Sequence, residues 1–130
     1  MKKFFSCLVL TSLFNFAIHA DPIMLTDLNK PIVLKSTQST FSISLPANAT
    51  TGYSWFLSNN YPHSLIKVES YQYQAPTAQK PGEGGQAIFT FKAKKAAFTV
   101  PTSIHLHFSY QRPWELSPTK TQDVTILTVI

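Results

Sequence analysis

The feature that most constrains the fold is a strict alternation of apolar and polar residues in several short windows. In the clearest window, four apolar residues alternate with three polar ones: Ile104, His105, Leu106, His107, Phe108, Ser109 and Tyr110. Side chains that alternate in this way lie on opposite faces of a β-strand, so that one face can be buried while the other meets solvent. No window shows a 3.6-residue period. The chain is therefore predicted to be all-β.

Seven segments are predicted as strands from their alternation or their β-rich composition. They cover residues 31–36, 40–45, 52–58, 65–74, 86–93, 103–111 and 122–130. A change of phase near Glu69 and Ser70 predicts a β-bulge in the fourth of them. Only 13% of the residues are charged and 13% are aromatic, which argues against disorder and against long solvated helices. Seven short strands in one domain indicate an immunoglobulin-like β-sandwich, with Trp55 at a core position.

The first twenty residues are set apart from this domain. Two lysines precede an apolar run over residues 4–18, and Ala20 provides a small residue at a cleavage point before Asp21. This order is typical of a secretory signal peptide, and the run is too short and too often interrupted by polar residues for a transmembrane span. We therefore predict a signal peptide at 1–20 and a single domain at 21–130. The predicted destination is export to the periplasm or secretion, with no stable membrane insertion after cleavage.

The predicted mature domain has no cysteine, because Cys7 lies in the leader. It therefore has no disulfide and no thiol nucleophile. Removal of the leader leaves nine basic and six acidic residues, a net charge of +3. Only Lys92, Lys94 and Lys95 cluster among the basic residues, and we interpret them as a solvated strand face rather than a polyanion-binding patch. We expect a monomer that binds no nucleic acid.

No catalytic or metal-binding arrangement stands out in the mature sequence. His105 and His107 share one strand face and could bind a metal with a third ligand, but alternation alone accounts for their position. Glu83 and Glu115 could form an acid pair only if the glycines around Glu83 held it in place. No serine lies in a Ser–His–Asp arrangement that we can justify. The chain is therefore predicted to be a binding protein and not an enzyme, without metal or cofactor.

Three connections between the predicted strands contain the most unusual segments. They read Asn48-Ala49-Thr50-Thr51-Gly52-Tyr53, Gly82-Glu83-Gly84-Gly85 and Arg112-Pro113-Trp114. If consecutive strands run up and down between the two ends of the sandwich, these connections all lie at one end. Loops on a rigid sandwich often carry binding residues. The glycine-rich segment is not a phosphate loop, because no Lys-Ser/Thr pair and no helix follow it.

Together the three segments resemble those of the chagasin-like inhibitors of papain-family cysteine proteases. That family has an Asn-Pro-Thr-Thr-Gly-Tyr/Phe segment, a Gly-x-Gly-Gly segment and an Arg-Pro-Trp segment in the same order. Each segment is a weak match alone, whereas all three in order are much stronger. The resemblance covers residues 29–130, and the family's exported, disulfide-free sandwich agrees with the strand pattern. Ala49 departs from it, because the family usually has proline there, and the loss of proline is expected to loosen the segment.

The resemblance implies a reversible, competitive inhibitor whose three loops occlude the active-site cleft of a papain-family cysteine protease. Thr50, Thr51 and Gly52 would enter the cleft near the catalytic cysteine, and the other two segments would lie on either side. The residues predicted to bind the protease are Asn48, Thr50, Thr51, Gly52, Tyr53, Gly82, Glu83, Gly84, Gly85, Arg112, Pro113 and Trp114.

Two alternatives stay open at this point. The first is that the domain is an exported adhesion or carbohydrate-binding sandwich that uses Trp114 with Tyr71 and Tyr73. Trp114 itself is expected to be an exposed, rigid anchor of the kind that dominates interfaces. The competing interpretation is that its side chain folds back onto the edge of its own sandwich.

Overall fold

The computed structural model of the protein describes residues 21–77 and 82–130. The predicted signal peptide at 1–20 lies outside these residues, as do Lys80 and Pro81 of the glycine-rich connection. None of the helical segments in the described part of the chain has the length and apolarity that a membrane span requires.

Eight strands build the domain. In chain order they are β1 (Ile23–Leu25), β2 (Ile32–Lys35), β3 (Thr40–Ala47), β4 (Ser54–Leu57), β5 (Ile66–Gln74), β6 (Gly85–Ala93), β7 (Thr102–Gln111) and β8 (Lys120–Val129). They form two four-stranded sheets with the orders β1-β3-β6-β5 and β2-β8-β7-β4. The described ranges contain three short 3₁₀ turns and no α-helix. The predicted all-β, immunoglobulin-like sandwich is confirmed.

The apolar residues of the alternating sequence pattern fill the space between the two sheets. Ile104, Leu106 and Phe108 of β7 are buried, while His105 and His107 between them are exposed. Aromatic rings connect the two sheets: the ring centroid of Phe108 in β7 lies 5.1 Å from that of Phe89 in β6, in edge-to-face geometry. Aromatic pairs of this kind add to the stabilisation that comes from apolar burial. The core therefore holds the domain together without a disulfide.

Two strand predictions were wrong in detail. The eighth strand, β1, was missed, because its three residues are too few to show a period. It pairs in parallel with Phe41–Ile43 at one edge of its sheet. Gly85 was assigned to a connection, whereas it is the first residue of β6 and pairs with Ala47. The β-bulge predicted near Glu69 is confirmed, because the register shifts between Val68 and Ser70.

Three connections leave the sandwich at one end, which we call the loop end. The first loop is 48–53, the second loop is 75–84 and the third loop is 112–119. The strand register places them together. Ala47 pairs with Gly85 where the first and second loops meet the first sheet, and Ser54 pairs with Gln111 where the first and third loops meet the second sheet. The prediction that these three connections lie at one end of the sandwich is therefore confirmed.

Candidate functional site

Asn48 organises the first loop. Its side-chain oxygen Oδ1 accepts hydrogen bonds from the backbone N–H of Thr50 at 3.1 Å and from the Thr50 hydroxyl at 2.7 Å. The Thr51 hydroxyl donates to the Asn48 carbonyl oxygen at 2.8 Å. These bonds close a 3₁₀ turn, after which Gly52 adopts a φ of 76°, a left-handed conformation that favours glycine. The result is a tight, internally bonded loop that presents Thr50 and Thr51 to solvent.

Arg112 joins the third loop to the first. Its Nε donates to the carbonyl oxygen of Thr51 at 3.2 Å. Its guanidinium carbon lies 4.6 Å from the ring centroid of Tyr53, in cation–π geometry. Its Nη1 lies 3.6 Å from Oε1 of Glu115. The guanidinium of this predicted protease-binding residue is therefore engaged by groups of its own chain.

Glu115 closes the turn of the third loop on the same network. Its Oε2 accepts the backbone N–H of Arg112 at 3.2 Å, and its Oε1 accepts the Tyr53 hydroxyl at a long 3.4 Å. Its own N–H donates to the Arg112 carbonyl at 3.1 Å. Sequence reasoning considered Glu115 only as half of an acid pair with Glu83. The sequence does contain a pattern that could have indicated this contact, namely an acidic residue three positions after Arg112 in the same loop.

Trp114 is exposed over 72% of its surface, which confirms that it is not part of the core. It follows Pro113, which is exposed as well. The indole lies beside the first loop, because a Cβ built on Gly52 would be 3.7 Å from its Cη2 atom. The third loop therefore places a large aromatic surface next to the tip of the first loop.

The second loop approaches the first through its glycines. Gly82, Glu83 and Gly84 are exposed, and a Cβ on Gly84 would lie 3.0 Å from the carbonyl oxygen of Ala47. Gly85 is buried in β6, where a Cβ would overlap the backbone carbonyl oxygen of Gln74 in β5. Contacts within the chain therefore require glycine at position 85 and leave little room for a side chain at position 84.

Tyr110 supports the loop end from below. Its hydroxyl oxygen accepts the backbone N–H of Asn48 at 3.2 Å, and its ring stacks on the half-buried ring of Tyr53 with centroids 5.3 Å apart. A cavity of about 380 Å³ opens between the first and second loops, with Asn48, Gly84 and Tyr110 in its wall. The twelve residues predicted to bind a protease are therefore gathered at the loop end, with Gly85 within its strand and Tyr53 beneath Arg112.

The histidines noted in the sequence lie elsewhere. Nδ1 of His107 is 2.5 Å from Oδ1 of Asp123, and Nδ1 of His105 is 3.2 Å from the Thr125 hydroxyl, all on the outer face of β7 and β8. Within residues 21–77 and 82–130, no three His, Cys, Asp or Glu side chains are grouped closely enough to hold a metal ion. These histidines therefore lie outside the loop end.

Comparison with known proteins gives a matching family and several solved structures of similar fold, one of which is described here. The model of the chagasin family peptidase inhibitors I42 matches residues 35–128, which include all three loops. The crystal structure of a cysteine protease inhibitor from Entamoeba histolytica has a similar fold, with a TM-score of 0.60 and 21% sequence identity. That match covers 82% of this chain and 93% of the other. No curated protein sequence matches the chain.

Proposed function

The chain belongs to the chagasin family of peptidase inhibitors, and we propose that it inhibits papain-like cysteine proteases by laying its three loops across their active-site cleft. One observation carries the proposal. The three sequence segments that mark the resemblance lie far apart in the chain, yet hydrogen bonds and close contacts join them into one surface at the loop end. Membership of an inhibitor family also confirms that the chain is a binding protein and not an enzyme.

The first loop has the properties of an inserted wedge. Its exposed residues Thr50, Thr51 and Gly52 are small, and small side chains leave a loop narrow enough to enter a groove. The bonds to Asn48 hold this loop in shape before any partner arrives. A loop that is ordered in the free protein loses less conformational entropy on binding, so more of the contact energy remains as affinity.

The backbone of the same loop supports inhibition without cleavage. Peptides that bind as an added strand lie extended in the groove of their partner. Residues Ala49–Thr51 form a 3₁₀ turn instead, with the N–H of Thr51 donating to the Asn48 carbonyl oxygen at 3.4 Å. The loop therefore blocks access to the cleft and offers no extended peptide bond to the catalytic cysteine.

The third loop supplies the aromatic anchor of the interface. Trp114 is largely exposed in the free protein, so its burial on binding would remove a large apolar area from water. Arg112 has a different role, because its guanidinium already contacts Thr51, Tyr53 and Glu115. We assign Arg112 as a positioning residue that holds the third loop against the first.

The proposal also covers the class of the target protease and the compartment in which the protein acts. The similar structure from Entamoeba histolytica is that of a cysteine protease inhibitor, which supports the cysteine class as the target. The lysines, the apolar run and Ala20 in residues 1–20 support export, so we propose that the protein acts as a monomer in the periplasm or after secretion.

The test is titration of active-site-quantified papain with the purified protein, with trypsin as the serine-protease control. We expect papain activity to fall with increasing inhibitor while trypsin activity is unchanged. A folded sample that leaves papain and several related enzymes active at micromolar concentration would refute the proposal. Binding of that sample to a glycan would then favour the carbohydrate-binding alternative.

A further inference from the structure

The third loop turns its apolar residues outward. The side chain of Leu116 is fully exposed, and Trp114 is exposed over 72% of its surface. Pro113 and Pro118 of the same loop are exposed too. A single exposed leucine is ordinary on a protein surface. Four exposed apolar residues in one eight-residue loop concentrate apolar surface at one place in the chain, and exposed apolar patches mark interaction sites.

The charged groups of this loop point the other way. Arg112 and Glu115 are the only charged residues between positions 112 and 119. They pair with each other, and both bond to the first loop, through the carbonyl of Thr51 and the hydroxyl of Tyr53. Both charged side chains of this loop are therefore engaged in contacts within the chain, whereas Trp114 and Leu116 are exposed.

The backbone is hydrogen-bonded on both sides of Leu116, at Glu115 and at Thr119. The carbonyl oxygen of Glu115 accepts a hydrogen bond from Nε2 of Gln111 at 3.3 Å. The N–H of Thr119 donates to the carbonyl oxygen of Tyr110 at 2.9 Å and closes the neck of the loop. These bonds restrict the loop in the free protein, which lowers the entropy that is lost when a partner buries the Leu116 side chain.

We propose that Leu116 is a second apolar anchor, which becomes buried against an apolar surface that flanks the cleft of the target protease. Leu116 lies outside the Arg-Pro-Trp segment, so this contact extends the third loop's footprint beyond the part that marks the resemblance. It also makes the protein select, among cysteine proteases, those with an apolar rim on this side of the cleft. This inference rests on the proposed function.

The experiment compares Leu116→Ser with a matched control, Ile130→Ser. Ile130 is an exposed aliphatic residue that follows the end of β8 opposite the loop end. The inhibition constant is measured against the papain-like protease that the unchanged protein inhibits most tightly. Burial of a leucine side chain predicts that Leu116→Ser raises this constant about tenfold, while Ile130→Ser leaves it unchanged. Leu116→Met, which keeps an apolar side chain, should retain inhibition.

The outcomes separate the two proposals. A tenfold loss confined to Leu116→Ser, with melting temperatures equal for all variants, supports the anchor. Equal inhibition by Leu116→Ser, Ile130→Ser and the unchanged protein overturns the anchor and leaves the inhibitor function standing. Failure of the unchanged protein to inhibit any papain-like protease overturns both.

Discussion

Ala49 is the single residue of the first loop that departs from the segment typical of chagasin-like inhibitors, which usually have proline there. It begins the 3₁₀ turn, and residues in 3₁₀ turns generally have a φ close to the value that proline requires. The preceding residue, Asn48, is extended, with φ −124° and ψ 104°, as a residue before proline should be. We predict that Ala49→Pro raises stability by about 0.4–1 kcal/mol and maintains or improves inhibition, as measured by thermal melting and the inhibition constant.

Thr50→Pro is the matched control for this prediction. Its backbone N–H donates to Oδ1 of Asn48, so proline at position 50 removes a bond that shapes the loop. We expect Thr50→Pro to lower both stability and inhibition. If Ala49→Pro is the more damaging of the two substitutions, the hydrogen bonding assigned to the first loop is incorrect.

Trp114→Ala separates binding from folding at the third loop. Because Trp114 is mostly exposed, its truncation should change the melting temperature little. Loss of an aromatic anchor weakens binding by about 2 kcal/mol or more, roughly thirtyfold in the dissociation constant and mainly through faster dissociation. Trp55→Ala is the contrast, because Trp55 is buried and donates its indole N–H to the Pro46 carbonyl at 2.9 Å. It should instead lower stability by about 3–5 kcal/mol. A large drop in melting temperature for Trp114→Ala with unchanged inhibition would contradict the assignment.

At the scale of elements, the contact between the first and third loops depends on Glu115. Glu115→Ala removes an acceptor of the Arg112 N–H and the ion pair that orients the guanidinium. We predict a loss of stability of about 1 kcal/mol, because the group is only partly buried, and a several-fold weaker inhibition because the two loops are no longer held together. Melting curves and inhibition constants measure the two effects.

The control is Glu69→Ala, which removes an exposed ion pair with Lys67 on β5. Exposed pairs of this kind contribute about 0–1 kcal/mol, and this one lies outside the loop end. Inhibition should therefore be unchanged. Equal losses of inhibition from Glu69→Ala and Glu115→Ala would show that the network around Arg112 does not position the loops.

The elements that the sequence predicts well are those with a local signal. Alternation marks β7 because every second side chain, such as Leu106, is buried between the sheets. β1 has too few residues to show alternation, and its pairing with β3 is set by the rest of the fold. The contacts of Glu115 and Tyr110 with the first loop join residues 62 positions apart, and no local pattern reports them. The family resemblance identified the loops, whereas only the structure shows how they hold one another.

At the scale of the whole molecule, residues 1–20 are expected to act as a signal peptide that is cleaved during export. Export would remove residues 1–20, so the mature protein should begin at Asp21 and carry no cysteine. Mass spectrometry of exported protein should give the mass of residues 21–130 with no disulfide, and sedimentation should give a monomer. Exported protein that retains Lys2 and Lys3 would contradict the signal-peptide assignment.

The most direct test of the account is the dependence of papain inhibition on substrate concentration. Three loops that occupy the cleft exclude substrate, so the apparent inhibition constant should rise in proportion to 1 + [S]/KM, with the maximal rate unchanged. Trp114→Ala should keep this pattern at a higher inhibition constant. An apparent inhibition constant that does not change with substrate concentration would show that the protein binds outside the cleft, and would contradict the central claim that the loop end occludes it.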